Sequence, residues 1–235
     1  MEAVVLSHFD NKYYKIGVNP QKLIIFIHGY NGSPEAIDYA IQSLREKLHN
    51  AVLVVPRAPF KCEKDVNNLQ WLSFYQVDPK AEFRNPDSSV EKIFGIFDAL
   101  APSFEQTAAQ MNDFIDEMQQ LFGIEDKNTY IAGFSQGAMI ALYTALSRRQ
   151  NLGGCVMLSG IVAGRPLLEK NIVSTPKLLI LHGEDDATVQ YKTLPTTLKW
   201  LDNQNISYKC LTYKGLAHRM NDEEMQQLAE FVEQN

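Results

Sequence analysis

A serine stands between two glycines in Gly133-Phe134-Ser135-Gln136-Gly137, written GFSQG, where an apolar run, NTYIA, passes into a helix-like run, MIALYTALSRR. A G-x-S-x-G spacing has two readings: a tight structural turn, or a nucleophile raised above a sheet on a strained strand-to-helix bend. The predicted strand before it and helix after it favour the nucleophile. Such a bend lifts the hydroxyl above the sheet, and the residue that follows opens a helix whose amides point at the same place.

A serine hydroxyl is a poor nucleophile at neutral pH and needs a base. In a sheet of this kind the base is a histidine that follows the serine in the chain, with the acid between them. Of five histidines, only His182 and His218 come after Ser135. His182 closes the run LLILHG, with no acid between it and the serine at a strand end. His218 lies in KGLAHRM, after the last predicted strand, and elimination selects it. The acid must orient the imidazole and stabilise the imidazolium. The corner after KLLIL offers Glu184, Asp185 and Asp186, and position alone leaves all three open. Asp202 falls within the next helix, where solvation is expected. Acyl transfer also needs donors for the developing oxyanion. The first long strand runs into IFIHGYNGSPE, where Gly29 permits a sharp turn, so the amides of Tyr30 and Gln136 are the expected pair. His28 then reads as a structural residue of the turn.

The elements that must position these groups alternate. Short apolar runs at residues 23–27, 51–55, 129–132, 155–158, 178–181 and 208–213 predict strands buried in a parallel sheet. Helical spacing fills 36–48, behind a Ser33-Pro34 start, and 104–122 and 139–146. Asn221 with Glu224 reads as a capping box opening the last helix. Strand and helix in alternation imply a doubly wound α/β sheet, with its functional loops at the carboxyl ends of the strands. The patches at 4–6 and 13–16 predict an antiparallel hairpin at one edge. Residues 56–102, with five prolines and the aromatics Phe60, Trp71, Phe74 and Tyr75, read as a long ordered covering over the site. The whole chain, 1–235, reads as one domain.

Composition limits the remaining classes. A net charge of −6 argues against nucleic-acid or anionic-membrane binding, and Arg148-Arg149 reads as a solvated helix end. Three scattered cysteines form no metal-ligand spacing, and Cys155 reads as a buried thiol. No apolar window is long enough to span a membrane, and the start, MEAVVLSHFDNKYYK, has no secretory pattern, so a cytoplasmic location is expected.

Together, FIHGYNG, QWLSF, GFSQGAMIAL, LSG, LLILHGEDDATV and GLAHRM resemble the phospholipase/carboxylesterase family of α/β-hydrolases, in family order and over nearly the whole chain. The resemblance implies a mostly parallel central sheet with helices on both faces and no large separate lid domain. It also implies a serine carboxylesterase working through an acyl-enzyme, without metal or cofactor. Ser135, Asp186 and His218 match the family's triad; Asp186 is chosen because the pattern puts the acid four residues after the histidine of HG. Tyr30 and Gln136 match the oxyanion amides, and Trp71 matches a tryptophan near the site. Trp71, Leu72, Phe74 and Ile161, with Phe60, are candidates for lining an acyl groove. The expected substrate is a small-molecule or lipid-like ester or thioester, and the family's habit implies a homodimer. A lysophospholipase or acyl-protein thioesterase would use the same machinery on longer chains, and a binding protein with an inactive site is the non-enzymatic alternative. The chain departs from the pattern at Asn31, where many relatives have glycine, at Gln190, where proline is common, and in a longer segment at 80–101.

Overall fold

The computed structural model describes residues 8–234 of the 235-residue chain. Its elements run β1 (Asn11–Ile16), β2 (Lys22–Ile27), α1 (Asp38–Lys47), β3 (Ala51–Pro56), β4 (Phe60–Lys61), β5 (Leu69–Gln70), α2 (Val90–Ala99), α3 (Ala101–Phe122), β6 (Thr129–Phe134), α4 (Gln136–Ser147), β7 (Gly154–Leu158), α5 (Arg165–Asn171), β8 (Leu178–Gly183), α6 (Leu194–Asn203), β9 (Tyr208–Tyr213) and α7 (Asp222–Gln234). Seven strands form one sheet in the order β1-β3-β2-β6-β7-β8-β9, parallel except for β1, which pairs antiparallel with β3. The expected edge strand at 13–16 is therefore present, while its proposed partner at 4–6 lies outside the described residues.

Both faces of the sheet are covered, so the central strands have no polar side. Successive side chains of a strand point to opposite faces. Leu23, Ile25 and Ile27 of β2 accordingly join α2, α3 and α4 in one core, while Ile24 and Phe26 join α1 and α7 in the other. Helix α4 is buried on nearly every side, consistent with its almost uninterrupted apolar sequence. The last helix opens with the predicted box: Asn221 N–H donates to Glu224 Oε2 at 3.0 Å, and Glu224 N–H donates to Asn221 Oδ1 at 2.8 Å.

The segment 56–102 is more regular than its prolines suggested. It holds a two-strand ribbon, β4 with β5, and the helix α2, capped by Ser89 Oγ accepting from Lys92 N–H. Pro102 is no loop residue; it sits in the first turn of α3, where its missing N–H costs nothing. Arg148 also differs from expectation. It is buried, donating from Nε to Asp126 at 2.5 Å and from Nη2 to Asp116 at 2.6 Å and Gln119 at 3.0 Å, so it locks the end of α4 to α3. A guanidinium reaches several acceptors at once through its planar fork, which is why this one was not left in solvent. Arg149 is exposed. Among the described residues no helix is long and apolar enough to cross a membrane.

Hydrogen bonds to charged groups contribute about 1.5–3 kcal/mol each to stability. Arg148→Ala is therefore expected to lower unfolding free energy by about 2–3 kcal/mol, read as a shifted urea midpoint with an unchanged slope.

Candidate active site

Ser135 occupies the turn between β6 and α4 with φ 57° and ψ −118°, a conformation that L-residues rarely adopt. Crowding holds it there. A β-carbon on Gly137 would lie 2.2 Å from Ile27 O, and one on Gly133 would lie 2.3 Å from the Gly137 backbone. Only glycines let α4 begin this close to β2 and β6. The Ser135 amide donates to Leu158 O at 2.9 Å, which fixes the bend to the end of β7.

His218 arrives on the loop after β9. That loop is joined to the one after β8 by Asp185 N–H donating to Leu216 O at 3.1 Å, and the His218 ring packs on Phe134, 4.7 Å between centroids. His218 Nε2 lies 3.1 Å from Ser135 Oγ, and its Nδ1 lies 2.7 Å from Asp186 Oδ2. A carboxylate only accepts, so Nδ1 carries the proton and the Nε2 lone pair faces the serine hydroxyl. The other carboxylate oxygen, Asp186 Oδ1, accepts from the amides of Thr188 at 2.8 Å and Val189 at 2.9 Å. One carboxyl group thus closes its own turn and orients the imidazole. The neighbouring acids point elsewhere: Glu184 accepts from Thr212 Oγ1 at 2.8 Å, and Asp185 is exposed.

Two further titratable groups flank this acid. His182 is fully buried, 3.6 Å from Asp186 Oδ2, and donates from Nε2 to Val189 O; burial lowers its pKa, so the ring stays neutral. Glu224 is also fully buried. Burial pushes its pKa up to about 7 against the Asn221 amide bond, with the Asp186 charge adding to the rise, and its Oε1 has no hydrogen-bond partner among the described residues.

The turn after β2 is built around His28. Burial pulls its pKa down to about 4, so it is neutral, with Nδ1–H donating to Gly29 O at 2.9 Å and Nε2 accepting from Ala58 N–H at 3.2 Å. Gly29 abuts the serine: a β-carbon there would sit 3.2 Å from Ser135 Cβ. Tyr30 follows directly, and neither its amide nor that of Gln136 is bonded to a protein acceptor among the described residues. Asn31, the departure from the glycine common in relatives, has φ 58°, a left-handed conformation that asparagine tolerates better than most residues.

Sequence reasoning used Gln136 only for its amide. Its side chain also accepts from Trp71 N–H at 3.0 Å and donates to Leu72 O at 3.0 Å, while Trp71 Nε1–H donates to His28 O at 2.9 Å. Trp71 is thus a fully buried bridge between the covering segment, the turn after β2 and the start of α4. Leu72 and Trp71 line a cleft of about 340 Å³ with Phe60 and the start of α3, in which no triad residue takes part. Phe74 is buried and stacks on Tyr30 at 5.0 Å, and Ile161 is buried without exposed surface.

Glu63 went unnoticed in the sequence, because Glu63-Lys64-Asp65 reads as a solvated charge cluster. Its carboxylate accepts from Tyr30 Oη, Gln70 Nε2, Ser73 Oγ and the amides of Phe74 and Tyr75. Partial burial alone would raise its pKa, yet these donors hold it below the usual glutamate range. The covering is thereby tied to the side chain of Tyr30.

The family model described as phospholipase/carboxylesterase matches residues 15–235. The chain belongs to that family. It is 28% identical over 232 residues to acyl-protein thioesterase 1 of Candida albicans, covering 92% of this chain and 93% of that protein. It is 25% identical over 216 residues to carboxylesterase SOBER1 of Arabidopsis thaliana, covering 89% of this chain and 88% of that one. The crystal structure of esterase PE8 superposes with a TM-score of 0.81 at 21% identity, over 97% of this chain and 99% of that chain, and shares the fold.

Two outcomes check this description. Gly137→Ala places a methyl group against the Ile27 carbonyl, and is expected to cost about 1–3 kcal/mol in denaturant unfolding. A buried acid with a raised pKa stabilises the fold at low pH. That contribution is complete below the unfolded value of 4.5 and is lost as pH rises through about 7. Glu224→Gln should therefore flatten the decline of melting temperature between those two values, measured by calorimetry across the range.

Proposed function

We propose that the protein is a serine carboxylesterase that cleaves carboxylic esters or thioesters through an acyl-enzyme. The observation that carries the reading is the unbroken hydrogen-bonded chain from Ser135 Oγ through His218 to Asp186, at 3.1 Å and 2.7 Å. Ser135 Oγ attacks the acyl carbon as its proton passes to His218 Nε2. Asp186 stabilises the imidazolium, and the amides of Tyr30 and Gln136 donate to the tetrahedral oxyanion. His218 returns the proton to the leaving alcohol or thiol. It then takes a proton from water, which attacks the acyl-enzyme and restores Ser135. This chemistry draws on no metal or organic cofactor.

Relatives named as acyl-protein thioesterases favour a second substrate reading, in which a long acyl chain is cleaved from a thioester and leaves as the free acid. A chain-length series of p-nitrophenyl esters beside a palmitoyl thioester separates the two. Ser135→Ala should lose at least about a thousandfold in kcat/KM across the panel. A fluorophosphonate probe should label wild-type protein at Ser135. Turnover surviving in the variant would overturn the nucleophile, and an unlabelled, inactive wild type would mark a binding protein on a hydrolase fold.

A further inference from the structure

Glu82–Arg84 forms a short 3-10 turn in the segment that is longer than the family pattern. It touches both sides of the candidate site. On one side, the Arg84 guanidinium lies 5.5 Å from the ring centroid of Tyr30, which follows β2. On the other, Gln190, which follows β8, donates from Nε2 to Phe83 O at 3.1 Å and to Asn85 O at 2.9 Å, the two carbonyls that flank Arg84. Strands β2 and β8 are separated by β6 and β7. Three strand spacings amount to about 14 Å. The turn therefore links the loop that carries Tyr30 to the loop that carries Asp186 and Gln190.

The turn is fixed at several points. Asp78 Oδ2 accepts from Phe83 N–H at 2.9 Å, and Lys192 Nζ donates to Pro86 O and Ser88 O, both at 2.7 Å. Phe83 is buried, with its ring edge-on to Phe74 and Phe97. Gln190 has a role here that the family's common proline, lacking an amide side chain, would not fill.

Arg84 is held in this frame without an acid. Its guanidinium lies against two aromatic rings, Tyr30 and Phe83, the latter at 5.1 Å, and none of its side-chain nitrogens has a hydrogen-bond or ion-pair partner among the described residues. The adjacent Glu82 is turned to Lys92 at 3.0 Å and Asn85 at 3.2 Å, and the Glu63 carboxylate on the Tyr30 hydroxyl is occupied by its five donors. A planar cation backed by aromatic faces, with donors to spare, suits the oxygens of an anion.

We propose that Arg84 is a specificity residue that binds an anionic group carried by the substrate away from its scissile carbonyl, so that this protein favours negatively charged esters or thioesters. The proposal rests on the hydrolase reading and adds the substrate class to it.

The test compares two matched pairs of thioesters. In one pair the acyl part differs, a monothioester of adipate against the same thioester of hexanoate. In the other the thiol differs, hexanoyl mercaptopropionate against hexanoyl propanethiol. Arg84→Gln should lower the anionic-to-neutral ratio of kcat/KM by about tenfold or more in one pair, as expected for a lost charged hydrogen bond. Arg84→Lys, which keeps the charge, should retain most of that ratio and guards against a folding effect. A ratio that moves in neither pair overturns the assignment. If wild-type protein hydrolyses none of the four and the fluorophosphonate probe leaves Ser135 unlabelled, the hydrolase reading fails. Equilibrium binding of the same thioesters to wild type and Arg84→Gln then judges Arg84 separately, with equal affinities overturning it.

Discussion

The constraint on which the site depends is the close crossing of backbone at the β6–α4 bend. Gly137 lies so near Ile27 O that a β-carbon would stand 2.2 Å from it, and Gly133 is pressed equally hard against Gly137. This crowding leaves Ser135 in a strained conformation that a looser turn would release. It also brings the first amide of α4 beside the turn that follows β2. The strain is opposed by burial on every side of α4 and by the Ser135 amide bond to the end of β7.

A second layer of polar contacts keeps that bend in register with the segment above it. The Gln136 side chain grips the backbone of Trp71 and Leu72, Trp71 bonds His28 O, and His28 closes on Gly29 and Ala58. All these groups are shielded from water, so each unmade bond would carry its full desolvation cost. Glu63 extends the network outward to the Tyr30 hydroxyl. The turn after β2, the start of α4 and the covering segment are therefore one connected unit.

On the acid side, electrostatics divides the work between buried groups. Asp186 accepts from two amides and from His218, so both oxygens of this buried carboxyl are hydrogen-bonded. Burial favours the neutral form of His182 and of Glu224, and outweighs the one bond each makes that favours the charged form, to Val189 O and from the Asn221 amide.

The sequence by itself determined most of the strands and helices and their arrangement as a mostly parallel sheet covered on both faces, because apolar runs and their spacing are local signals; the order of the strands came from the structure. It also marked the bend at Ser135, and it singled out His218 by chain order. Helix α2 was hidden because Gly95 and Pro102 interrupt its surroundings, although proline in the first turn of α3 is compatible with a helix. Which of Glu184, Asp185 and Asp186 faces His218 depends on side-chain direction within one turn, and three adjacent carboxylates look alike in one dimension. The family pattern pointed to Asp186 and the structure sets that carboxyl on His218, but only the tertiary structure decided that Arg148 is buried against α3, that Glu63 gathers five donors and that Gln190 reaches carbonyls more than a hundred residues away. These are long-range pairings of polar groups, and they leave no period in the chain.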